Sequence, residues 1–374
     1  MNDLSSTLVD HAAVGYGVAR PAAIEEKTVS EPVRAPADSQ TTAKNIPVKI
    51  TDVAAAAGVA PMTVSRVINT PDRVSPETTA RVREAIDRLG YVPNLIAGGL
   101  SSRKSRTVAA IVPTIAHPMF ASVVQSFSDA MRHAGYQVML SICGYDDTDD
   151  EALFRAVLGR RPDALLITGS GYSPAAWQML IEARIPVVEI WDVSNRPIDM
   201  LIGFDHAQVG ADVATFMLNK GHDRFAVLTA RDSRAMARAR GFTETVSKSG
   251  ASLVLDQDMP APSTIGAGRA GLRALLPFLD QRCAVFCSSD LLAFGVVTES
   301  RVQGIPIPQR IGVCGFGNFE LSAMSEPPIT TVNLEGAGTG RTAAAFLLRR
   351  LAGEGPRDGD RVHVAFRIVD RASV

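Results

Sequence analysis

The sequence contains no long apolar segment. None of its runs approaches the roughly 18 consecutive apolar residues that indicate a membrane-spanning helix. The N-terminus also lacks a basic region followed by an apolar core, which a secretory signal requires. We therefore expect a protein that neither spans a membrane nor is exported.

Cysteine and histidine are scarce. The four cysteines lie in or beside apolar runs, where a reduced thiol behaves as a small hydrophobic side chain: Cys143, Cys283, Cys287 and Cys314. The six histidines are scattered without the spacing of metal ligands. This pattern predicts a reducing cytoplasmic environment without a structural metal, and nothing in it indicates a cofactor.

Net charge is also small, but the charge is unevenly distributed. The 374 residues carry a formal net charge of −1, whereas residues 44–106 hold ten Lys or Arg against five Asp or Glu. A basic segment on an otherwise acidic chain suits a polyanionic partner such as nucleic acid. The length allows two or three domains with substantial cores.

Residues 48–69 have the pattern of two short helices joined by a Gly-Val-Ala turn, in which Gly58 supplies a positive φ. Apolar positions at helical spacing form two facing stripes: Val53, Ala54 and Ala57, then Val64, Val67 and Ile68. The second helix leaves five other side chains outward: Met62, Thr63, Ser65, Arg66 and Asn69. This arrangement is typical of a DNA-binding helix-turn-helix, although a helical hairpin inside an enzyme has the same local pattern.

A third helix is predicted after its N-cap Ser75, and Gly90 ends it. Residues 46–90 would then form a small all-α head. We expect residues 1–45, which are rich in Ser, Thr, Ala, Pro and charge, to be a disordered leader. Residues 91–106 are expected to be a hinge linker that becomes ordered on DNA.

From residue 107 to residue 374, apolar strands alternate with amphipathic helices, which is typical of parallel sheets with crossover helices. The segment is too long for one such sheet, so we expect two doubly wound lobes with a ligand cleft between them. Strands are predicted at 107–112, 136–141, 163–168, 186–190, 200–203, 224–229, 283–287 and 311–315. Helices are predicted at 119–134, 174–184, 207–220, 234–249, 266–279 and 290–303.

A competing signal lies at Gly266 to Gly271, whose spacing fits a dinucleotide-binding turn, with Asp290 nineteen residues further on. The preceding Met-Pro-Ala-Pro-Ser-Thr is not the strand that this motif requires. No catalytic constellation occurs elsewhere in the chain. We therefore favour a helix that begins with small residues, and we expect no enzyme activity.

Several motifs together resemble the lactose-repressor family of bacterial transcription factors. They are Asp-Val-Ala-x-x-Ala-Gly-Val-x-x-x-Thr-Val-Ser-Arg-Val at 52–67, Val-Ser-Pro-Glu-Thr at 74–78, Leu-Gly-Tyr-Val-Pro-Asn at 89–94 and Ala-Ala-Ile-Val-Pro at 109–113. Met-Thr-Val-Ser-Arg, His-Pro-Met-Phe-Ala, Pro-Val-Val-Glu-Ile-Trp-Asp and Gly-Phe-Asp further resemble the gluconate-utilisation repressor branch. The resemblance implies a helix-turn-helix head joined to a two-lobed α/β domain like that of periplasmic binding proteins.

The resemblance also implies how the head contacts DNA. Met62 and Arg66 would reach base edges in the major groove, because an arginine can bind guanine bidentately and a methionine offers apolar contact. The implied phosphate contacts come from Lys49, Thr63, Ser65 and Asn69. The alternative for Arg66 is a surface arginine that binds a phosphate or an internal acid.

In the linker, Pro-Asn-Leu-Ile-Ala-Gly-Gly-Leu resembles the hinge helix of the family. The resemblance implies minor-groove contacts by Asn94 and Ala97, and a wedge formed by Leu100 between two base steps. Two adjacent glycines cost about 2 kcal/mol of helix propensity relative to alanine, so this hinge should fold only when DNA and a partner hold it. Leu100 could instead pack on the adjacent lobe.

In the cleft, Arg238 matches an arginine that binds the polar groups of the ligand, and a guanidinium suits a sugar-acid carboxylate. Asp290 matches an acid that accepts ligand hydroxyl protons, and Phe120 could stack on the ligand. Glu189, Trp191 and Asp205 end strands and could line the same cleft. For each of these residues an internal salt bridge or a core role is the alternative.

Together these expectations describe a homodimeric regulator that binds double-stranded operator DNA and a small sugar-acid effector such as gluconate. We expect a repressor of sugar-acid catabolism genes that is released by its inducer and is associated with the bacterial nucleoid. The chain ends without apolar heptads, so no coiled-coil tail is predicted. The alternative is a sugar-binding protein with a vestigial head that does not recognise DNA sequence.

Overall fold

The computed structural model describes residues 48–92, 105–145, 150–169, 171–194, 196–357 and 360–374. The chain divides into two compact units, Met1–Val92 and Pro93–Val374. The hinge residues named above, Asn94, Ala97 and Leu100, lie outside the described residues, as does the proposed leader.

The first unit is a bundle of three helices: α1 (Ile50–Ala57), α2 (Pro61–Asn69) and α3 (Pro76–Leu89). The predicted inner faces meet in one core, in which Val53, Val64 and Val82 are completely buried. Gly58 adopts φ +65, and its N–H donates to carbonyl oxygens at the end of α1. Ser75 caps α3, since its Oγ accepts from Thr78 N–H at 3.4 Å. The helix-turn-helix prediction is therefore confirmed.

The second unit has two lobes. In the first, six parallel strands lie in the order β11-β5-β4-β3-β1-β2. They are β1 (Thr107–Val112), β2 (Gln137–Ile142), β3 (Ala164–Thr168), β4 (Val187–Trp191), β5 (Met200–Gly203) and β11 (Arg361–His363). Four helices accompany this sheet: α4 (Pro118–His133), α5 (Asp150–Leu158), α6 (Pro174–Glu182) and α12 (Gly336–Leu351).

The second lobe repeats the plan with the order β12-β10-β9-β8-β6-β7, in which only β12 is antiparallel to its neighbour. Its strands are β6 (Arg224–Ala230), β7 (Ser252–Met259), β8 (Cys283–Cys287), β9 (Ile311–Phe316), β10 (Thr330–Asn333) and β12 (Arg367–Val369). Its helices are α7 (His206–Asn219), α8 (Ser233–Ser249), α9 (Ile265–Leu275), α10 (Asp290–Val302) and α11 (Glu320–Met324). The chain passes between the lobes after β5, after β10 and after β11.

All eight predicted strands and all six predicted helices are present, with ends that differ by a few residues. The sequence-based prediction missed β7, whose Ser-Leu-Val-Leu-Asp-Gln-Asp-Met has the polar residues of an exposed edge strand, and it did not include the short elements α5, α11, β10, β11 and β12. It also missed α12, because Gly-Ala-Gly-Thr-Gly has low helix propensity. Gly340 in α12 packs directly against α4, where a Cβ would overlap Ser126 Oγ. That close approach explains why glycine stands inside a helix.

The glycines at 266–271 have a packing role. They lie in α9, and a Cβ on Gly268 would overlap the backbone of Leu292 in α10. This observation agrees with a helix that begins with small residues. In the described part of the chain, no group of His, Cys, Asp or Glu residues is arranged to hold a metal ion. None of the helices described is long and apolar enough to cross a membrane.

The topology fixes where a ligand can bind. In parallel sheets with crossover helices, ligands bind at the carboxyl ends of the strands. Residues that follow β1, β2, β3, β4 and β6 line one cavity between the two lobes. The two-lobed α/β prediction and its cleft are thus confirmed.

Candidate functional sites: a DNA-binding helix and an interlobe cleft

Helix α2 presents a face that its neighbours do not cover. Met62 is 63% exposed, and Arg66 is exposed without a hydrogen bond or ion pair from its guanidinium to any described residue. Pro61 begins the helix with the φ that a helix needs and without a wasted N–H donor. An exposed, unpaired guanidinium on a short helix can bind a base edge or a phosphate.

The other predicted DNA contacts of the head lie around this face. Thr63 and Ser65 are half-buried, and Asn69 is exposed. The Asn69 amide donates to the Ser65 backbone oxygen at 3.0 Å and to Ser65 Oγ at 3.3 Å. Lys49 precedes α1, and its backbone N–H donates to Asp52 at 2.8 Å while its side chain remains exposed. All these groups are accessible to a duplex.

The interlobe cleft contains an outer cavity of about 570 Å³. Its wall combines carboxylates, aromatic hydroxyls and two arginines: Asp150, Asp192, Asp232, Tyr145, Tyr172, Arg231 and Arg234. This volume lies within the range of small-molecule sites in proteins. The polar lining can accept and donate hydrogen bonds to a hydroxylated ligand.

An ion pair joins the lobes across this cavity. Arg234, from α8, donates to both carboxylate oxygens of Asp192, which follows β4, at 3.0 to 3.2 Å. Burial raises the pKa of Asp192, but Arg234 and His206 outweigh that effect and hold it at about 2. Gly169, at φ +95, leaves the necessary space, since a Cβ there would overlap Arg234 Nη2. The pair is therefore ionised and closely packed.

Behind this pair lies an inner pocket of about 30 Å³, lined by Arg238 among others. The guanidinium of Arg238 contacts His206 Nδ1 at 2.8 Å and donates to the Ser288 carbonyl at 3.0 Å. It also lies 3.9 Å from the ring centre of Phe316, which is a cation–π distance. Burial lowers the pKa of Arg238 to about 10, so the side chain remains charged at neutral pH.

Two histidines beside Arg238 are neutral. Burial, the largest cause, lowers the pKa of both His117 and His206 to about 4, and the charge of Arg238 lowers each further. Neutral His206 accepts from Arg238 through Nδ1, so its proton must be on Nε2. That Nε2 lies 3.4 Å from an oxygen of Asp192. His206 thus lies between the inner arginine and the outer ion pair.

The structure brings some of the predicted effector residues to the cleft and leaves others elsewhere. Phe120 and Arg238 line the inner pocket. Asp290 is completely buried and accepts hydrogen bonds from Phe319 N–H and Thr331 Oγ1. Asp290 therefore joins segments of its own lobe and lines neither described cavity.

Glu189 and Asp205 also line neither cavity in the described part of the chain. Glu189 is buried and accepts from Ile198 N–H at 3.3 Å, and burial raises its pKa to about 7. Asp205 caps the N-terminus of α7, where it accepts from Ala207 N–H at 2.8 Å. Both carboxylates therefore have internal hydrogen bonds.

Sequence reasoning missed Asp192, Arg234 and His206. A signal for Arg234 was present, because it lies four residues before Arg238 and shares its helix face. Asp192 follows a predicted strand, which is where ligand-binding side chains of such sheets occur. Nothing local in the sequence indicated the pairing of Asp192 with Arg234, since 42 positions separate them.

Comparison with protein families gives two matches. Residues 49–94 match the model described as bacterial regulatory proteins, lacI family, and residues 214–374 match a periplasmic binding protein-like domain. These correspond to the helical head and to part of the two-lobed unit.

Curated relatives and solved structures cover most of the chain. The transcriptional regulator GntR of Escherichia coli K12 is 31% identical over 81% of this chain and 92% of its own length. GntR of Pseudomonas aeruginosa is 31% identical over 87% of this chain and 95% of its own length. A LacI family regulator from Silicibacter pomeroyi superimposes with a TM-score of 0.82 and 32% identity, covering 87% of this chain and 99% of that structure.

Proposed function

The chain belongs to the LacI family of bacterial regulatory proteins, and from that premise we propose that it represses sugar-acid catabolism genes until an effector releases it. It is a ligand-responsive, DNA-binding transcriptional regulator. The observation that carries the proposal is the exposed Arg66 on α2, whose guanidinium has no partner among the described residues, in a chain that also has a polar interlobe cavity. As a DNA-binding regulator it would act in the cytoplasm, on the nucleoid.

For the head, we assign base contacts to Met62 and Arg66, and phosphate contacts to Lys49, Thr63, Ser65 and Asn69. Support comes from the accessibility of these side chains on and beside α2. A bidentate arginine–guanine contact discriminates against a wrong base by about 1–3 kcal/mol. Phosphate contacts add affinity without sequence preference.

For the effector, we propose a sugar acid such as gluconate, bound with its carboxylate toward Arg238. Support comes from the positive charge of this arginine beside two neutral histidines. The hydroxyls of the ligand would meet the carboxylates and tyrosines of the outer cavity. A neutral sugar would bring no anionic group to the charge of Arg238.

For the assembly, we propose a homodimer with heads at 46–90, hinges at 91–106 and two-lobed domains at 107–374. Operators of such dimers contain two half-sites related by the symmetry of the protein. Ligand binding would change the relative position of the lobes, and with it the pairing of the hinges on DNA.

In the hinge, we propose that Asn94, Ala97 and Leu100 contact the minor groove. Leu100→Ala should therefore weaken operator binding without altering effector affinity.

Fluorescence anisotropy with a duplex selected from a random pool tests the function. Wild-type protein should prefer this duplex over random-sequence competitor, and gluconate should reduce the preference. Arg66→Ala should lose roughly 10- to 100-fold of the preference. Arg83→Ala, a matched exposed arginine on α3, should leave it unchanged.

Three outcomes would contradict the proposal or a part of it. Equal binding of selected and random duplexes by the wild type would favour the sugar-binding alternative with a vestigial head. Unchanged preference in Arg66→Ala would exclude this arginine from base recognition. If a neutral metabolite alone releases the duplex, the regulator remains but the sugar-acid assignment is wrong.

A further inference from the structure

The inner pocket contains polar atoms that the protein itself does not satisfy. Trp191 Nε1, His117 Nδ1 and Arg238 Nε are buried and have no hydrogen-bond partner among the described residues. The three residues are only 2%, 8% and 5% exposed, respectively. All three line the same pocket.

Such orphaned groups are unusual in native proteins, in which most buried polar atoms are paired. Leaving a buried donor unpaired costs free energy, because the donor has lost its hydrogen bonds to water and gained none in the protein. Three of them around one pocket are better explained by a ligand that accepts their hydrogen bonds. This step rests on the proposed function, because it takes the cleft to be the effector site.

The backbone conformation and the aromatic neighbours of Trp191 fix its position. Its backbone has φ +82, a conformation that a bulky residue rarely adopts. Its ring meets Phe120 edge-to-face at 6.2 Å and Phe204 at 5.9 Å. Local backbone strain persists where surrounding structure holds it, and it clusters at functional sites. The packing therefore holds the indole at the pocket.

The orphaned atoms are suited to binding a ligand group that accepts hydrogen bonds. Trp191 Nε1 and Arg238 Nε can only donate hydrogen bonds, and the neutral imidazole of His117 can donate from Nδ1. Of the carboxylates described, Asp150 and Asp192 line the outer cavity and not the inner pocket. Asp232 lines both, but it caps α8 by accepting from Ala235 N–H at 2.9 Å. A carboxylate, which accepts only, fits these donors.

The volumes of the inner pocket and the outer cavity indicate which end of a ligand each can hold. A space of about 30 Å³ admits one small group, whereas about 570 Å³ admits a polyol chain. We infer that Trp191 and His117 complete, with Arg238, a pocket for the effector's carboxylate, while its hydroxylated chain extends into the outer cavity. Trp191 is thus a specificity-determining residue that distinguishes a sugar acid from the corresponding neutral polyol.

Calorimetric titration of gluconate and glucitol tests the inference. Glucitol retains the hydroxylated chain and lacks the carboxylate. The change Trp191→Phe removes the N–H donor while retaining an aromatic ring, and a hydrogen bond to a charged group is worth enough to weaken gluconate binding at least about tenfold. Glucitol should bind the wild type and Trp191→Phe with the same weak affinity. Trp177→Phe, at the other tryptophan of the chain, is the matched control and should bind gluconate like the wild type.

A second measurement does not depend on the stability of the Trp191 variant. In Trp177→Phe protein, Trp191 is the only tryptophan, so its fluorescence reports directly on its environment. Gluconate should shift or quench this emission, and glucitol at the same concentration should not. His117→Ala should also weaken gluconate binding severalfold.

The outcomes separate this inference from the proposed function. If gluconate releases DNA from Trp191→Phe at wild-type concentrations, the inference is wrong and the sugar-acid effector stands. Unchanged Trp191 fluorescence at saturating gluconate overturns it as well. If only neutral ligands bind the wild type, both the carboxylate pocket and the sugar-acid assignment fail, while DNA recognition by Arg66 is unaffected.

Discussion

The two regions that bind partners use arginine in opposite ways. Arg66 on the head is exposed and lacks a partner among the described residues, whereas in the cleft Arg234 is half-buried, Arg238 is buried, and both have internal hydrogen bonds. A polyanion approaches from solvent and supplies many phosphates, so an exposed cation suffices. A small ligand must be recognised by a few groups in a fixed geometry, which requires burial and support from neighbours. The difference predicts that substitutions in the cleft change stability strongly, whereas substitutions in the head change DNA binding and its salt dependence more than stability.

The largest effect should follow from breaking the ion pair across the cleft. Arg234→Ala leaves the mostly buried carboxylate of Asp192 without its counterion, which destabilises a protein by about 3–5 kcal/mol. Urea unfolding of the two-lobed unit measures the loss. Arg240→Ala, an exposed arginine on the same helix, should change stability by less than about 0.5 kcal/mol. Equal stability of the two variants would contradict the structural role of the pair.

Glu189 should make the stability of the two-lobed unit depend on pH. Burial raises its pKa from 4.5 to about 7, so the protonated form is favoured in the folded protein. This contribution is complete below pH 4.5 and is lost as the pH rises through 7. Glu189→Gln mimics the protonated form and should be more stable than the wild type by about 3 kcal/mol at pH 8.

At pH 4.5 the same variant should be close to wild type. The matched change Glu182→Gln, at an exposed carboxylate, should show no such difference between the two pH values. A Glu189→Gln effect of equal size at both pH values would indicate a packing effect instead of titration.

Effector affinity should respond to Arg238 more than to exposed charges near the cleft. Arg238→Lys retains the charge but loses the planar set of donors, and we expect gluconate to bind roughly tenfold more weakly. Arg231→Lys, at the exposed arginine that lines the outer cavity, is the control. Similar calorimetric affinities for all three proteins would refute a carboxylate role for Arg238.

The smallest effect is expected at Lys49. Removing one phosphate contact should reduce the slope of log affinity against log salt by about 1, without changing sequence preference. Anisotropy titrations of Lys49→Ala at several salt concentrations measure this slope. Lys248→Ala, in the two-lobed unit, should retain the wild-type slope, and a changed preference in Lys49→Ala would place Lys49 at a base instead.

Much of the fold was predictable because it depends on local pattern. Gly58 and Ser75 mark a turn and a helix start by their own conformational preferences, and the structure uses both as expected. The short strands β11 and β12 were not predictable, since three-residue strands have no periodicity. They exist because each lies beside a longer strand of its lobe.

The cleft was less predictable than the fold. Arg238 and Phe120 could be assigned by family resemblance, and both line the inner pocket. Asp290 could not be separated from a ligand-binding residue by sequence, because its burial depends on Phe319 and Thr331, which lie 29 and 41 positions away.

The sequence by itself determined the helical head, the two series of alternating strands and helices, and the arginines available for anions. Periodicity and turn chemistry act over a few residues, so one chain suffices to infer them. Only the tertiary structure decided that Asp192 neutralises Arg234 and that Trp191, His117 and Arg238 each keep an atom around one pocket that no described residue pairs with. Those relations depend on distances between segments remote in sequence, and a hydrogen bond forms or fails within a few tenths of an ångström.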